Sequence, residues 1–365
     1  MQLKSLSIVN FKNIAQADIE LCQGFNAFIG SNGAGKSNMI DAIHYLALTK
    51  SMSNSIDSQN INHGKEFFLL DGVFSNDSDK RENIVCSYSR QRGSVKSVKR
   101  NGKAYDRLSD HVGVIPVVVV SPQESMLITE ASDERRRFLN SFISQIDTTY
   151  LTALIRYNVL LQQRNTILRL SKDESMLDIY DAQIAPYAQQ IHAKRSEIIT
   201  QMQPLLSRLY SQIAGVDKEV TLEYKSQLND GDFVELLQLA RQKDLTREHS
   251  TVGVHRDDLI LKIGGYPLRK YGSQGEQKSS LIALKLSQYE LLVKLKGERA
   301  TLLLDDLFDK LDATRVERLI SLVSTEEYGQ IFITDCHGEE LIKVLEKMDS
   351  YKIFDVESGV ITPRG

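Results

Sequence analysis

The stretch Gly30-Ser31-Asn32-Gly33-Ala34-Gly35-Lys36-Ser37 fits the phosphate-binding loop pattern G-x-x-x-x-G-K-[ST], and it decides the fold. Glycines let the backbone curl so that successive N–H groups cradle the phosphates of a nucleotide. In such a loop Lys36 reaches the β- and γ-phosphates, and the Ser37 hydroxyl ligates Mg²⁺. We therefore predict that every residue of this stretch binds a nucleotide and that Ser37 also binds the metal.

The segments on both sides of the loop support this interpretation. Residues 25–29 form a short apolar run that predicts a buried strand. After the loop, Ile40, Ile43 and Ala47 recur at i, i+3 and i+7, which predicts a helix whose N-terminus faces the phosphates. The alternative is a glycine-rich turn that matches the pattern by accident. The predicted strand and helix favour nucleotide binding.

The composition is that of a soluble globular protein. The chain has 365 residues, enough for two or three domains, with 41% hydrophobic and 25% charged residues. We find no signal-peptide core and no apolar stretch long enough to span a bilayer, so we expect no membrane association. Cys22, Cys86 and Cys336 are widely spaced, which predicts neither a disulfide framework nor a zinc site and favours the cytoplasm. The net charge of −3 means that nucleic-acid binding requires a local basic patch.

The first third of the chain is predicted to be rich in strands. Residues 1–30 contain three strand patterns, the last of which leads into the loop. Strand patterns at 67–74 and 84–88, with the turn signal Asn101-Gly102, predict an antiparallel hairpin sheet. The continuous apolar run at 114–120 is typical of a central buried strand.

The middle of the chain is predicted to be helical. Residues 132–213 carry two apolar seams with a break between them, which predicts an antiparallel helical hairpin. Pro186 and Pro204 are predicted to interrupt the second seam. Further on, the patterns predict strands at 220–224, 259–263, 301–304 and 330–334, and a helix at 277–296.

The order of these elements predicts one ATPase domain with an insertion. Strands that alternate with helices around a nucleotide loop favour a mostly parallel sheet. We predict that residues 1–122 and 248–365 build the head and that residues 123–247 form a helical arm.

Two adjacent acids end a second apolar strand. The sequence Leu302-Leu303-Leu304-Asp305-Asp306 places both at its carboxyl end. In phosphate-loop enzymes the first such acid holds Mg²⁺, and the next polarises the attacking water. The alternative is a strand followed by a solvated turn. With the loop present, we interpret Asp305 as a metal ligand and Asp306 as a catalytic residue.

A third motif, Tyr271-Gly272-Ser273-Gln274-Gly275-Glu276-Gln277, precedes the predicted helix at 277–296. A Ser-x-Gly sequence at a helix start offers a hydroxyl, backbone N–H groups and a positive dipole end to a phosphate. By itself the motif is better explained as a capped turn.

Together these motifs resemble the ATP-binding-cassette ATPases of the SMC type, and within them a family of bacterial DNA recombination and repair ATPases, along the whole chain. The segments that carry the resemblance, besides the loop extended to Asn38, are Asn10-Phe11-Lys12-Asn13, Ser121-Pro122, Arg135-Arg136-Arg137-Phe138-Leu139, His255-Arg256-Asp257-Asp258-Leu259 and Ser273-Gln274-Gly275-Glu276-Gln277-Lys278. The fold implied is an α/β head, with a mixed sheet around the loop helix and an antiparallel β-subdomain, and an inserted helical arm.

The resemblance also implies roles for individual residues. Ser273 matches the signature serine, which contacts ATP held by a second subunit, and we therefore group it with Asp306 as catalytic. The further ATP-binding residues that it implies are Lys12, Gln123 and Asp312. The sensing residue after residue 121 is left open between Gln123 and Glu124. The position of a switch histidine is left open between Asp335 and His337.

The basic residues of one segment are the candidate DNA contacts. They are Arg90, Arg92, Lys96, Lys99, Arg100 and Lys103, with Arg107 beside them. In an acidic chain that resembles DNA-repair ATPases, these residues predict phosphate-backbone contacts, and the alternative is a solvated surface. The run from Arg135 to Arg137 is open to the same two interpretations and to a structural salt-bridge role. We expect His255 and Arg256 to buttress the signature region.

The implied function is ATP-dependent DNA binding. The resemblance implies an ATP-dependent homodimer on double-stranded DNA at gaps and single-strand/double-strand junctions. It would help mediator proteins of the RecR/RecO type to load recombinase, and weak DNA-dependent ATP hydrolysis would release it. One alternative is an SMC-like head that works with a nuclease or a defence protein. A small-molecule kinase and a transporter's ATP-binding subunit are further alternatives.

Overall fold

The computed structural model describes residues 1–54, 56–76, 80–91, 93, 95–307, 313–336 and 338–364, without the side chain of residue 313. Three residues with predicted roles, Arg92, Asp312 and His337, lie outside the described residues.

The strands are β1 (Gln2–Phe11), β2 (Ile14–Glu20), β3 (Phe25–Ile29), β4 (Phe67–Ser75), β5 (Arg81–Ser89), β6 (Val95–Arg100), β7 (Lys103–Ala104), β8 (Val117–Val120), β9 (Val220–Lys225), β10 (Asp258–Ile263), β11 (Tyr266–Pro267), β12 (Thr301–Leu304), β13 (Ile331–Asp335), β14 (Tyr351–Glu357) and β15 (Val360–Pro363). The helices are α1 (Lys36–Leu48), α2 (Met126–Thr129), α3 (Ser132–Ile146), α4 (Thr148–Leu170), α5 (Glu174–Ala214), α6 (Phe233–Arg247), α7 (Leu268–Tyr271), α8 (Gln274–Lys296), α9 (Ala313–Val323) and α10 (Glu339–Leu345).

The chain divides into two compact units. The first comprises Met1–Glu124 and Gln288–Gly365, and the second comprises Ser125–Ser287. The first boundary lies two residues beyond the predicted one, but residues 248–287, predicted for the head, belong to the second unit. The reason is strand pairing: β10 pairs along its whole length with β9, so it stays with the unit that contains β9.

An antiparallel sheet in the first unit has the strand order β2-β1-β4-β5-β6-β7. The hairpin strands predicted at its centre are confirmed as β4 and β5. The predicted turn at Asn101-Gly102 joins β6 to β7, and both residues have positive φ angles, 51° and 80°. Asparagine and glycine are the residues that tolerate this conformation in two-residue hairpins.

The second sheet of this unit has the order β15-β14-β3-β13-β12-β8. All pairs are parallel except the last hairpin, β14 with β15, which confirms the prediction of a mostly parallel sheet. The prediction that residues 114–120 form a central strand is wrong, because β8 is the terminal strand in this order and pairs with β12 alone among the described strands. Burial on both faces gives a strand its continuous apolar sequence and does not specify its neighbours.

Helix α1 packs against both sheets. Its buried residues Met39, Ile40 and Ile43 belong to a hydrophobic cluster that also contains residues of β1, β4, β3 and β13. Phe11, Tyr45 and Phe68 meet edge to face there, with ring centroids 5.2 to 5.9 Å apart. This core fixes the helix that follows the loop.

The second unit is built on the hairpin of α4 and α5. Asp147 and Asp173 cap the two helices by accepting backbone N–H groups, and the break between them confirms the predicted hairpin. The prediction that Pro186 and Pro204 interrupt the second helix is wrong, since both lie inside α5. A proline removes one helical hydrogen bond, and the long buried stripe of α5 compensates for that local loss. A three-stranded sheet, β11-β10-β9, completes the unit.

Two arginines organise the interior of the second unit. The Arg164 guanidinium is buried and lies 2.5 Å from Asp181 and 2.8 Å from Asp244. Arg195, also buried, lies 2.6 Å from Asp257, whose carboxylate accepts a second hydrogen bond from the hydroxyl of Tyr224. Because removal of one partner would leave a buried charge, these networks make the unit sensitive to single substitutions. None of the described helices is both long and apolar enough to cross a membrane.

Candidate nucleotide-binding site

The loop of residues 30–37 joins β3 to α1 and requires its glycines. Gly33 and Gly35 have φ angles of 81° and 118°, a region that side chains disfavour. At Gly30 a Cβ atom would lie 2.1 Å from the carbonyl oxygen of Val356 on β14. The backbone path of the loop thus depends on the absence of side chains.

Two donors from distant parts of the first unit hold the loop. The carbonyl oxygen of Ala34 accepts the side-chain amide of Asn13 at 3.2 Å and the backbone N–H of Gly359 at 2.7 Å. Asn13 also accepts the amide of Asn38 at 2.7 Å, which ties the loop to α1. These contacts fix the curved backbone of the loop.

Lys36 is buried, with 3% of its side chain exposed. Its ammonium group donates to the carbonyl oxygen of Ser31 at 3.2 Å and to Cys336 Sγ at 3.5 Å, and it lies 3.8 Å from Asp306 Oδ1. A cation held in this way inside the loop is suited to the phosphates of a nucleotide.

The two acids after β12 lie beside the loop. Thr334, on β13, donates its hydroxyl to Asp305 Oδ1 at 2.7 Å and accepts the backbone N–H of Asp306 at 2.9 Å. Burial raises the pKa of the Asp305 carboxyl, whereas hydrogen bonds from Thr334 and Ser37 and the charge of Lys36 lower it. The hydrogen bond between Ser37 and Asp305 brings together the two predicted metal ligands.

The order of strands in the parallel sheet explains why the loop and the two acids lie side by side. Strands β3, β13 and β12 are parallel neighbours, so their carboxyl ends lie at one edge of the sheet. The loop follows β3, the two acids follow β12, and Thr334 lies on the strand between them. This edge is where ligands bind in open α/β sheets.

The donor set fits Mg²⁺ and a nucleotide triphosphate. Mg²⁺ prefers oxygen ligands and in nucleotide sites takes few from the protein, with phosphates and waters completing the octahedron. Ser37 and Asp305 supply such oxygens. No group of three or more His, Cys, Asp or Glu side chains suited to a metal occurs in the part of the chain that the structure describes.

Asp306 has a backbone conformation rare for its type, with a φ angle of 45°. Its side chain is 28% exposed, unlike the buried Asp305, and points within 3.8 Å of the Lys36 ammonium. A partly exposed carboxylate beside the loop lysine can orient a water molecule at the phosphates.

Three further predicted site residues lie near the same sheet edge or loop. Gln123 is exposed in a short 3-10 turn that follows β8. Lys12 forms an ion pair with Asp41 and donates to Ser53 Oγ at 2.7 Å. Asp335 is buried at the end of β13 and accepts the backbone N–H of Gly338 at 2.8 Å, which satisfies it structurally.

Ser273 is in the second unit, exposed, and at the start of α8. Its hydroxyl accepts the backbone N–H of Glu276 at 3.3 Å, and its own N–H donates to the Glu276 carboxylate at 2.8 Å. This reciprocal pair is a capping box. Lys218 lies 2.7 Å from the same carboxylate and holds the pKa of Glu276 below its usual range. The capped turn and the proposed phosphate contact are thus compatible.

The predicted DNA contacts do not form one uniform patch. Lys96 forms an ion pair with Asp57 at 3.1 Å, and its ammonium lies 4.9 Å from the centre of the Tyr45 ring. Arg100 forms a bidentate ion pair with the carboxylate of Glu82. The side chains that remain exposed in this segment are Arg90, Lys99, Lys103 and Arg107.

Arg135, Arg136 and His255 are held by partners within the second unit. Arg135 lies 2.6 Å from Asp258, and Arg136 donates to the carbonyl oxygen of Asp257 at 2.6 Å. His255 shares a hydrogen bond of 2.6 Å with Tyr157, and burial lowers its pKa to about 4. Arg137 differs from the others, since 73% of its side chain is exposed.

Sequence reasoning missed three residues of the site: Asn13, Thr334 and Cys336. Cys336 Sγ donates to Asn32 Oδ1 at 2.8 Å, so it joins the sheet edge to the loop. For Cys336 the available signal was its place directly after an apolar strand, because a strand end next to a phosphate loop contributes to the site. Asn13 lies in the segment of residues 10–13 that carries the resemblance, but that segment did not predict its contact with the loop.

The comparisons with known proteins agree over the whole chain. The model of the RecF/RecN/SMC N-terminal domain family matches residues 2–362. The DNA replication and repair protein RecF of Phocaeicola vulgatus is 45% identical, with 100% of this chain and 99% of that protein covered. RecF of Flavobacterium johnsoniae is 42% identical over 98% of this chain and 100% of that protein.

The chain belongs to the RecF family. RecF proteins are named for DNA replication and repair, which decides against a small-molecule kinase or a transporter subunit. The solved structure of the recombination mediator protein RecF-ATP in the RecFOR pathway matches with a TM-score of 0.88 and 28% identity over 99% of both chains. The Smc head domain of Pyrococcus furiosus, at 16% identity and a TM-score of 0.59 over 100% of this chain and 96% of that chain, shares the fold. The predicted resemblance and the α/β ATPase-head fold are confirmed.

Proposed function

We propose that the protein is an ATP-operated DNA-binding protein of recombinational repair and replication-fork maintenance. The observation that carries the proposal is the cluster of Lys36, Ser37, Asp305 and Asp306 at one sheet edge. A RecF-family protein of the same fold has been solved with ATP, which supports ATP as the nucleotide.

The loop residues 30–37 bind the phosphates, and Ser37 and Asp305 hold Mg²⁺. A bound Mg²⁺ would be held by Ser37 and Asp305 and would neutralise part of the phosphate charge. Asp306, 3.8 Å from the Lys36 ammonium, orients the attacking water and accepts its proton. Lys12, Gln123 and Asp312 contribute further contacts to the nucleotide. Hydrolysis is slow and serves release from DNA.

Dimerisation follows from the position of the signature. Ser273 is exposed at the tip of a capped helix, so its hydroxyl is available to a second copy of the chain. We place it on ATP that is held by the partner's loop. ATP in this position contacts both chains. It stabilises the dimer by the difference between its binding free energies for the dimer and for the monomer.

The dimer binds duplex DNA at gaps and single-strand/double-strand junctions in the cytoplasm and helps partners of the RecR/RecO type to load recombinase. The similar RecF protein is described as a recombination mediator of the RecFOR pathway, which supports partners of this class. Arg90, Lys99 and Lys103 are the exposed candidates for phosphate contacts in the segment of residues 90–107.

Light scattering with and without ATP and a gapped duplex tests this function. The expected result is a monomer that becomes a dimer with ATP and binds the duplex in that state. Lys36→Met is the control, because it removes the phosphate-binding cation and should stay monomeric. A chain that stays monomeric with saturating ATP and does not bind the duplex would overturn the proposal.

A further inference from the structure

Two tyrosine rings on the second unit lie together in solvent. Tyr266, on β11, is 62% exposed, and Tyr271, at the end of α7, is 64% exposed. Their ring centroids are 5.3 Å apart, with an angle of 51° between the planes. Aromatic rings dominate the energetics of protein interfaces when they become buried, and a pair of this kind is large enough to act as an anchor.

The backbone under the rings is well fixed. Leu268, at the start of α7, is buried, and its carbonyl oxygen accepts the N–H of Gly272 at 2.9 Å. The carbonyl oxygen of Gly272 in turn accepts the side-chain amide of Gln277 at 3.0 Å, on α8. Tyr271 is therefore held two residues from Ser273, whose position the capping box sets. Both side chains are exposed, so the Tyr271 ring is available to a partner that docks at Ser273.

The same surface carries positive charge. Arg269 and Lys270 lie between the two tyrosines in sequence and are exposed. Neither forms a hydrogen bond or an ion pair with any residue that the structure describes, in contrast to Arg135 and Arg136 of the same unit. Unpaired cations next to exposed rings fit a partner that presents negative charge. The edge of the first unit that holds Lys36 presents Asp306 and would present the phosphates of a bound nucleotide.

We propose that Tyr266 and Tyr271 are the aromatic anchor of the ATP-dependent dimer, seated on the second copy of the chain beside the nucleoside triphosphate in its loop. Arg269 and Lys270 face the phosphates of that nucleotide. This inference rests on the proposed function, in which Ser273 acts on the partner's ATP. A tyrosine ring loses little conformational freedom when it is buried, which makes it an efficient anchor.

The charge pattern favours this occupant because the exposed Arg269 and Lys270 lie between the two rings in sequence. A second copy with an empty loop offers less negative charge than one with a triphosphate. The anchor thus explains how dimerisation comes to depend on ATP: the rings supply apolar contact in either state, and the cations are neutralised only when the nucleotide is present.

The double variant Tyr266→Ala/Tyr271→Ala tests the anchor. Sedimentation at a series of protein concentrations with saturating ATP should give a dimer dissociation constant raised about tenfold or more, the effect of losing an interface anchor. Binding of a fluorescent ATP analogue to the monomer should stay unchanged, because the loop is untouched. Leu239→Ala is the matched control, since Leu239 is 83% exposed in the same unit and should leave the dimer intact. Tyr266→Phe/Tyr271→Phe should also dimerise normally.

A photo-crosslinking amino acid at position 271 provides an independent measurement. Irradiation should join two chains with ATP and leave them separate without it. An alanine double variant that dimerises as the wild type does, or that loses DNA affinity with its dimer intact, overturns the anchor. Either result leaves the proposed function standing. A wild-type chain that forms no dimer with ATP overturns both.

Discussion

The hydroxyl of Thr334 donates a hydrogen bond of 2.7 Å to Asp305, although the two residues lie at the ends of different strands. The same hydroxyl accepts the N–H of Asp306, so one threonine orients both acids of the site. Thr334 thereby sets the relative position of the two acids that we propose for metal binding and hydrolysis.

Thr334→Val should weaken metal binding without preventing folding. Valine matches the shape of threonine but offers no hydrogen bond to Asp305 or Asp306, a loss of about 1 to 3 kcal/mol of stability for buried partners. We expect a higher Mg²⁺ concentration for half-maximal ATPase activity, measured by titration. Thr334→Ser keeps the hydroxyl and should restore the wild-type requirement. An unchanged Mg²⁺ requirement in the valine variant would contradict this role.

Asp306→Asn should separate binding from turnover. Asparagine tolerates a positive φ angle as aspartate does, so the backbone at 45° stays unstrained, but the amide cannot accept a proton. ATP binding should persist while turnover falls about a hundredfold or more, the usual contribution of a general base. Asp305→Asn should instead weaken Mg-ATP binding. Isothermal titration with single-turnover kinetics distinguishes the two; normal turnover in Asp306→Asn would refute the assignment.

Mixing two inactive variants tests whether Ser273 acts on the partner's nucleotide. Ser273→Arg should bind ATP and fail to dimerise, and Lys36→Met should bind ATP poorly. A mixed dimer has one intact composite site, so the mixture should regain partial, concentration-dependent ATPase activity. Glu276→Ala is the control, because it removes the capping box, worth about 1 kcal/mol, and leaves the Ser273 hydroxyl. Full activity of Ser273→Arg alone would favour a monomeric enzyme.

The basic segment should respond unequally to alanine substitution. Lys99→Ala/Lys103→Ala should weaken DNA binding for all sequences and flatten the slope of log affinity against log salt by about one unit per lost contact. Lys96→Ala should lower the melting temperature instead, because it leaves Asp57 without its ion-pair partner. Fluorescence anisotropy in a salt series and thermal melts measure both effects. Equal salt slopes for the double variant and the wild type would make Lys99 and Lys103 ordinary surface residues.

His255 should make folding sensitive to acid. Burial lowers its pKa from 6.5 to about 4 in the folded protein, so below pH 6.5 the unfolded chain binds a proton that the folded chain does not. Stability contributed by the neutral ring is therefore present above pH 6.5 and is lost as the pH falls toward 4. Urea unfolding between these pH values should show a weaker pH dependence in His255→Gln. An identical dependence would assign the acid sensitivity to other groups.

Sequence patterns predicted those parts of the site that consist of a few consecutive residues. The loop, its flanking strand and helix, and the acids after β12 each occupy a few consecutive residues with a distinctive spacing. The antiparallel hairpin at Asn101-Gly102 and the break between α4 and α5 are of the same kind. In each case the physical cause lies within one turn or one strand, so the sequence alone predicts it.

The wrong predictions concern features that depend on residues far apart in the sequence. The place of β8 at the sheet end depends on which strands pair with β12, and the continuity of α5 through Pro186 and Pro204 depends on packing along the helix. The sequence predicts Lys96 and Arg100 to be surface cations, because it does not show that Asp57 and Glu82, on other segments, form ion pairs with them. Thr334 has no pattern of its own, since its role follows from the place of β13 between two other strands.

Strand β3, which leads into the loop, has no neighbour from its own part of the chain. Ala27 pairs with Ile333 on one side and with Ile353 on the other. During synthesis the N-terminal segment leaves the ribosome first, and contacts between distant residues form late. The loop therefore acquires its supporting sheet only after the final strands have emerged. A chain that ended before residue 351 would lack the strand that flanks β3 on one side, and it would carry the loop on a sheet that is open at that edge.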